Sequence, residues 1–228
     1  MASVPRPLWL LLGVAIIVQA AFMAAIDGTK PHARALPEAP SSDWLRIASL
    51  DDRVLVSRMM MLWLQAFDNQ PGISVPLSAL DYERVEGWLG RALDLDPRSQ
   101  YPLLVATRIY ALVPDEVRVR RMLEFAYRRF FEDPNRRWRW LAHASLVAKH
   151  RLRDLPLALR YARAITEHAT GPSVPYWARD MSIIVLAEMG EFEAARGLIG
   201  ALLASGEITD AYELQFLERK LEELRRRE

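Results

Sequence analysis

Two histidines of one predicted helix, His143 and His150, have the clearest spacing for chemistry in this sequence. They are seven positions apart, so both imidazoles can project from the same helix face and begin a metal site. The HExxH arrangement of zinc hydrolases is absent, and the sequence offers no third ligand. We therefore interpret both histidines as surface or groove residues and expect no bound metal.

Other catalytic and cofactor-binding patterns are missing from the sequence. It contains no cysteine, which removes disulfides, thiolate metal sites and a cysteine nucleophile. No GxxxxGK[ST] phosphate loop occurs, and the serines lie mainly at helix starts, where capping explains them. Most carboxylates lie at helix starts or in i, i+4 pairs that are typical of a solvated face. We predict no catalytic residues and no cofactor, and an enzyme is the least favoured class of function.

One segment concentrates arginine. Its members are Arg118, Arg120, Arg121, Arg128, Arg129, Arg136, Arg137 and Arg139, with Trp138 and Trp140 between them. One interpretation is a surface for anionic lipid headgroups or an acidic peptide, and single-stranded nucleic acid would also fit arginine plus aromatic side chains. The other interpretation is a solvated arginine face with both tryptophans in the core between helices.

The overall composition is ordinary for a globular chain of 228 residues, with 51% hydrophobic and 26% charged residues. This length suffices for one sizeable core or a short solenoid. The net charge of +1 supplies no strong field toward nucleic acid, so we expect no nucleic-acid partner. The 27 arginines against 3 lysines fit a GC-rich genome, which suggests a bacterial source.

The N-terminal segment, residues 1–26, is predicted to be a transmembrane signal-anchor. Residues 8–26 are apolar except for Gln19, and as a helix they would rise about 28 Å. The expected topology is a single pass through the bacterial inner membrane, with the C-terminal domain in the periplasm. The alternative is a signal peptide cleaved near Ala20, which would release a soluble periplasmic or secreted protein. Residues 27–41 contain three prolines and are predicted to be an extended linker.

The remainder, residues 42–228, has a helical hydrophobic period and no strand-like alternation. Proline, serine, threonine or aspartate begins nearly every segment, as helix starts require. The most apolar helix, residues 54–67, is expected to be buried or docked on a partner. We predict an all-α fold over residues 42–228 that closes with a capping helix at 209–227.

A repeat is visible in this helical region. In residues 189–206, read as MGEFEAARGLIGALLASG, a Gly-x-Phe-x-x-Ala turn precedes an alanine-rich helix. This stretch resembles the second half of a tetratricopeptide repeat, and RALDLDP, which ends at Pro97, resembles the end of one. Val85, Val119, Ala158 and Ala195 occupy the matching second-helix position at spacings of 34, 39 and 37 residues. The resemblance implies a short array of antiparallel helix pairs and identifies no specific family.

The resemblance also implies where a ligand would bind, because tetratricopeptide arrays take up ligands along the first helix of each pair. The corresponding helices here are residues 101–112, 136–150 and 175–189. Aligning them with the repeat pattern predicts a groove lined by Tyr101, Leu104, Arg108, Trp138, Leu141, Ser145 and Lys149. Aromatic area with two positive charges fits an extended peptide that carries a carboxylate. We therefore expect a scaffold or assembly factor in a membrane-associated complex, with its oligomeric state left open.

Overall fold

Short helices follow one another along the chain, joined by turns that mostly contain an aspartate or a proline. The computed structural model describes residues 6–26, 33–206, 208 and 210–226. Its helices are α1 Arg6–Ile26, α2 Ser42–Ala48, α3 Arg53–Ala66, α4 Tyr82–Leu95, α5 Tyr101–Arg108, α6 Glu116–Phe130, α7 Pro134–His150, α8 Leu155–His168, α9 Tyr176–Arg179, α10 Met181–Met189, α11 Phe192–Ser205 and α12 Ala211–Arg225. Strands β1 Asn69–Gln70 and β2 Ile73–Ser74 form a hairpin, and 3-10 turns lie at Leu77–Ala79 and Tyr110–Leu112.

Aspartates begin most of these helices. The side chains of Asp52, Asp81, Asp115, Asp154 and Asp210 each accept a hydrogen bond from a backbone N–H in the first turn that follows. Such caps satisfy donors that the helix itself leaves unpaired, at about 1 kcal/mol each. The start signals in the sequence therefore act as predicted, and Asp210 caps the last helix. Thr209, the first residue of the predicted capping helix, lies outside the described residues, as do residues 1–5, 27–32, 207 and 227–228.

The predicted all-α fold is confirmed apart from one hairpin. In the segment between α3 and α4, Asn69 pairs with Ser74 and Gln70 with Ile73. Pro71 and Gly72 make the turn, and Gly72 adopts a left-handed φ of 77° that suits glycine. The prediction of a purely helical region was wrong here, because two residues per strand are too few to produce an alternating pattern.

Two of the predicted helices are interrupted. Residues 101–112 form α5 and then a 3-10 turn, and residues 175–189 form α9 and α10 on either side of Asp180. A single turn of 3-10 helix or a one-residue break leaves no signature in the sequence, since the periods of 3.0 and 3.6 diverge only over several turns.

Neighbouring helices pack in sequence order, an arrangement compatible with a helical repeat. Helices α3, α5, α7 and α10 pack against α4, α6, α8 and α11 respectively, and α12 packs on α11. Contacts between α4 and α6, α5 and α7, and α8 and α10 stack one pair on the next. The marker residues Val85, Val119, Ala158 and Ala195 are at most 1% exposed, so the spacing read from the sequence identifies real core positions.

Polar contacts between successive pairs repeat at a similar separation. The Tyr101 hydroxyl donates to Gln65 Oε1 at 2.8 Å, 36 residues away. Trp140 Nε1 donates to Gln100 Oε1 at 2.7 Å, 40 residues away. Lys149 Nζ lies 2.6 Å from Glu188 Oε1 at a separation of 39 residues. Each contact joins one first helix to the next, which fixes the register of the stack.

Residues 33–40 lie against α4 as an extended strip. Leu36 is 2% exposed. Arg84 Nη1 donates to the Leu36 carbonyl at 2.5 Å, and Trp88 Nε1 donates to the Pro37 carbonyl at 2.9 Å. This part of the predicted linker is therefore held on α4.

Helix α1 has 21 residues and includes the apolar run of the sequence. Its side chains are mostly exposed, including Leu10 at 73%, Ile17 at 69% and Phe22 at 64%. The prediction of a helix at this position is confirmed, but the prediction of a transmembrane span has no support from the described residues. Within the described residues, none of the helices combines the length and the apolar character needed to cross a bilayer.

Candidate binding face on the first helices

One open surface joins α5 and α7, and we call it the first-helix face. It carries Tyr101, Leu104, Arg108, Trp140 and His143. Tyr101 is 41% exposed, Arg108 is exposed, and the other three are half-buried. Helices α5 and α7 are in contact, and Gln100, beside Tyr101, accepts the hydrogen bond from the Trp140 indole. The aromatic side chains of both helices therefore belong to one surface.

Arg108 supplies the positive charge of this face. It takes part in no ion pair within the described part of the chain. Burial and the positive charge of Arg108 lower the pKa of His143, and a hydrogen bond with the backbone of Thr107 opposes them. His143 therefore stays neutral at pH 7 and can accept or donate a hydrogen bond beside a guanidinium that has no carboxylate partner.

Three of the seven residues predicted for the groove lie inside the helix pairs. Leu141 is 0%, Ser145 1% and Trp138 8% exposed. Ser145 Oγ donates to the Ala158 carbonyl of α8 at 2.9 Å, and the Trp138 ring packs edge-on against Trp177 at 5.4 Å. These side chains hold α7 to its neighbours and are not open to a ligand in this structure.

Lys149, the second cation of the predicted groove, is already paired. Its ammonium group contacts Glu188 of α10, and its side chain is 14% exposed. This contact joins α7 to the following pair. Tyr101, Leu104 and Arg108 are thus the predicted residues that the structure leaves together and accessible.

Sequence reasoning aligned Trp140 with a packing position of the repeat, and it interpreted His143 as a surface or groove residue without including it in the predicted ligand set. The helical period held the necessary signal, because residues 138, 141, 145 and 148 form one stripe of α7 that faces the core. The opposite side, which includes residues 140 and 143, is then the open one. Alignment with the repeat pattern therefore predicted that the core-facing side of α7 lines the groove.

The arginine-rich segment forms a network of internal ion pairs. Seven of its eight arginines lie within ion-pair distance of a carboxylate, and Arg139 lies over the Trp138 ring at 5.5 Å. Glu86 of α4 receives both Arg121 and Arg128 of α6, and Arg120 of α6 lies 2.5 Å from Asp154 at the start of α8. The second interpretation, a solvated arginine face with both tryptophans in the core, holds only in part: Trp138 is buried, but Trp140 is half-buried and the arginines pair with the protein's own carboxylates.

The least exposed member of this network is Arg137, at 1%. Its guanidinium donates to Glu132 at 2.7 Å, to the Pro97 carbonyl at 2.9 Å and to the Arg129 carbonyl. Burial alone would raise the pKa of Glu132, but hydrogen bonds from Arg137 and Arg129 lower it. This arginine is therefore a structural cation: both terminal nitrogens are bonded within the protein, and its unpaired Nε is buried away from any external ligand.

A cavity of about 840 Å³ opens between the strip, α4 and α6. Five arginines and five carboxylates line it, so their formal charges cancel. Ion pairs already join its two walls through Glu86 and Asp94. It offers a ligand no net charge and little apolar surface, and the first-helix face remains the stronger candidate.

The described residues contain no cluster of three or more histidine, aspartate or glutamate side chains that could hold a metal ion. Comparison of the whole chain with protein-family models, with curated proteins and with solved structures finds no match.

Proposed function

We propose that this protein is a membrane-attached scaffold whose helical array binds a carboxylate-bearing peptide segment of a partner protein. The sequential packing of helix pairs and the marker spacing of 34, 39 and 37 residues support an array similar to tetratricopeptide repeats. An extended segment could lie across the first helices of two pairs. An enzyme remains the least favoured class, because the part of the chain that the structure describes supplies no catalytic arrangement in its favour.

The contrast between Arg108 and the arginine-rich segment carries the proposal. Seven arginines of that segment have carboxylate partners, whereas Arg108 is exposed and has none within the described residues. A guanidinium can bind a carboxylate through two parallel hydrogen bonds. Tyr101 and Trp140 add aromatic area on the same face, which is the composition of binding hot spots.

Binding can be measured with an array of synthetic peptides in matched pairs. One member of each pair carries Asp, Glu and a free C-terminus, and the other carries Asn, Gln and an amidated C-terminus. The full chain in mild detergent should bind the acidic members selectively. Arg108→Glu should remove this binding, because it places a like charge where the carboxylate lies.

Arg163→Glu is the matched control for this charge reversal. Arg163 is exposed on α8 and likewise has no ion pair within the described residues. This variant should bind as the wild type does, and both variants should keep the same helical circular dichroism. Equal binding of acidic and neutral peptides, or undiminished binding by Arg108→Glu, would contradict the proposal.

Membrane attachment is the second part of the proposal and rests on residues 8–26. Their apolar side chains, such as Leu10, Val14 and Phe22, are mostly exposed on α1. Apolar surface gains roughly 25 cal/mol for each Å² removed from water, so a bilayer would stabilise this helix strongly. We assign the chain to the bacterial inner membrane, with the array in the periplasm.

Carbonate extraction of membranes tests this attachment. The full chain should stay with the membrane pellet, and mass spectrometry should find peptides that contain Arg6. A chain that is soluble without detergent and begins near Ala21 would instead establish the alternative, a soluble periplasmic binding protein.

A further inference from the structure

Helices α2 and α3, which are in contact at the N-terminal end of the array, expose apolar side chains that we call the apolar end face. It consists of Trp44, Ile47, Leu50, Leu55, Met59 and Leu62, whose exposed fractions range from 52% to 90%. On α3, residues 55, 59 and 62 are spaced i, i+4 and i+7, so they form one stripe. The opposite stripe of α3 packs on α4 and buries Met60, Met61 and Leu64.

The other end of the array is built differently. Helix α12 buries Leu217 and Leu224 and exposes Glu218, Arg219 and Glu222. A polar outer face of this kind is what closes a helical array in water. At the N-terminal end of the array, the outer side of α3 carries the apolar stripe where α12 carries charged residues. This end is therefore suited to contact with an apolar surface.

Chain length limits how far this end can lie from α1. Residues 27–32 separate Ile26 from Ala33, and seven Cα–Cα steps reach at most about 25 Å. Gln70 bonds both the N–H and the carbonyl of Arg34, and its side-chain amide also donates to the Phe67 carbonyl at the end of α3. The strip therefore starts beside α3, and any surface that holds α1 is close to the apolar end face.

We propose that the apolar end face lies in the interface of the membrane to which α1 attaches, so that the array rests on the bilayer through α2 and α3. This inference rests on the proposed membrane attachment. Trp44, 60% exposed, is an aromatic residue of the type enriched at the headgroup level of membranes. The stripe buries apolar area in the acyl boundary, as interfacial amphipathic helices do.

The charges around the face fit zwitterionic headgroups. Exposed Arg46, Arg53 and Arg58 can reach lipid phosphates. Three aspartates on the same segment, Asp43, Asp51 and Asp52, balance them. The face therefore requires no anionic lipid, and phosphatidylcholine is sufficient as the probe.

Because the chain contains no cysteine, single-cysteine variants report on single positions. The full chain is labelled with bimane at Leu62→Cys, Ile47→Cys, Glu218→Cys or Val14→Cys. Each variant is reconstituted into phosphatidylcholine vesicles with and without bromine near the top of the acyl chains. We expect bromine to quench most of the emission at residues 62, 47 and 14, and none at residue 218 on the far end of the array.

The other outcomes show whether the contact of the end face, the membrane attachment or both have failed. Quenching at residue 14 without quenching at 62 and 47 would overturn the contact of the end face and leave the attachment standing. No quenching at residue 14 would overturn both. Emission at 62 that resists bromine, together with cross-linking of two Leu62→Cys chains by a bis-maleimide, would assign the face to a second copy of the chain and overturn the proposal.

Discussion

Arg137 Nη2 donates a hydrogen bond to the carbonyl oxygen of Pro97 at 2.9 Å, and so ties the first turn of α7 to the turn that follows α4. The two residues are 40 positions apart, close to one repeat of the array. Pro97 ends the segment that resembles the close of a tetratricopeptide repeat. Through this contact a cation buried at 1% exposure donates to the carbonyl of a turn residue two positions after the end of α4.

Arg137→Ala should therefore destabilise the fold strongly. It removes one of the two arginine partners of Glu132, whose side chain is 46% exposed, and the donor to two backbone carbonyls. Buried acceptors left without a donor cost about 1–3 kcal/mol each. Chemical unfolding followed by circular dichroism measures the loss. The neighbouring Arg136→Ala, at an exposed arginine, should change the free energy of unfolding by no more than about 0.5 kcal/mol. Equal effects of the two variants would show that the Arg137 network contributes nothing specific.

Two glycines inside α4 should respond differently to alanine. A Cβ at Gly87 would lie 3.5 Å from Ala39 Cβ, an ordinary contact, so Gly87→Ala should gain most of the ~1 kcal/mol helix preference. A Cβ at Gly90 would lie 3.1 Å from Arg129 Nη2, which also holds Asp94 at 2.9 Å. Gly90→Ala should gain less, because Arg129 must move. Thermal unfolding of both variants decides this, and equal gains would mean that Arg129 is not held there.

Adjacent alanines of α11 provide a test of the marker positions. Ala195 is 0% exposed and Ala194 is exposed. Ala195→Trp should overpack the contact between helices and cost roughly 1–3 kcal/mol, whereas Ala194→Trp should be nearly neutral. The melting temperatures of the two variants give the comparison. An unchanged value for Ala195→Trp would remove this residue from the packing surface.

Asp180 should make stability depend on pH. It is 2% exposed, and its Oδ2 has no hydrogen-bond partner in the described part of the chain. Burial and the negative charge of Glu213 of α12 raise its pKa, Arg179 opposes them, and the net pKa is about 7. In the unfolded chain the pKa is about 3.9, so the folded state binds more protons between these values. The contribution of Asp180 to stability is therefore greatest below about pH 4, falls as the pH rises to about 7 and is constant above it.

Asp180→Asn isolates this effect, since it keeps the shape of the neutral side chain. The variant should unfold like the wild type near pH 4 and be more stable by about 2–4 kcal/mol above pH 7. Denaturant titrations across this range measure the difference. A difference that does not change with pH would mean that Asp180 is not protonated in the folded state.

The sequence was informative wherever a pattern extends over several turns. The burial of Val85 and Ala195 followed from a period sustained along whole helices, and the helix starts followed from capping residues. The side of α7 that faces the core was not predicted correctly, because the alignment with the repeat pattern was preferred over the stripe that Leu141 and Ala148 form. The docking of residues 33–40 depends on contacts of Leu36 with residues nearly 50 positions away, which no local pattern encodes.

Synthesis from the N-terminus gives the docked strip a place in the order of folding. Two of its backbone hydrogen bonds are with Arg84 and Trp88, 48 and 51 residues further along the chain. During synthesis, α1 and α3 therefore leave the ribosome before the strip can bind to α4. The first helix pair, α3 and α4, can pack only after α4 has been synthesised. Until then Trp63 lacks its stacking partner Trp88, whose ring centroid lies 4.4 Å away in the folded protein.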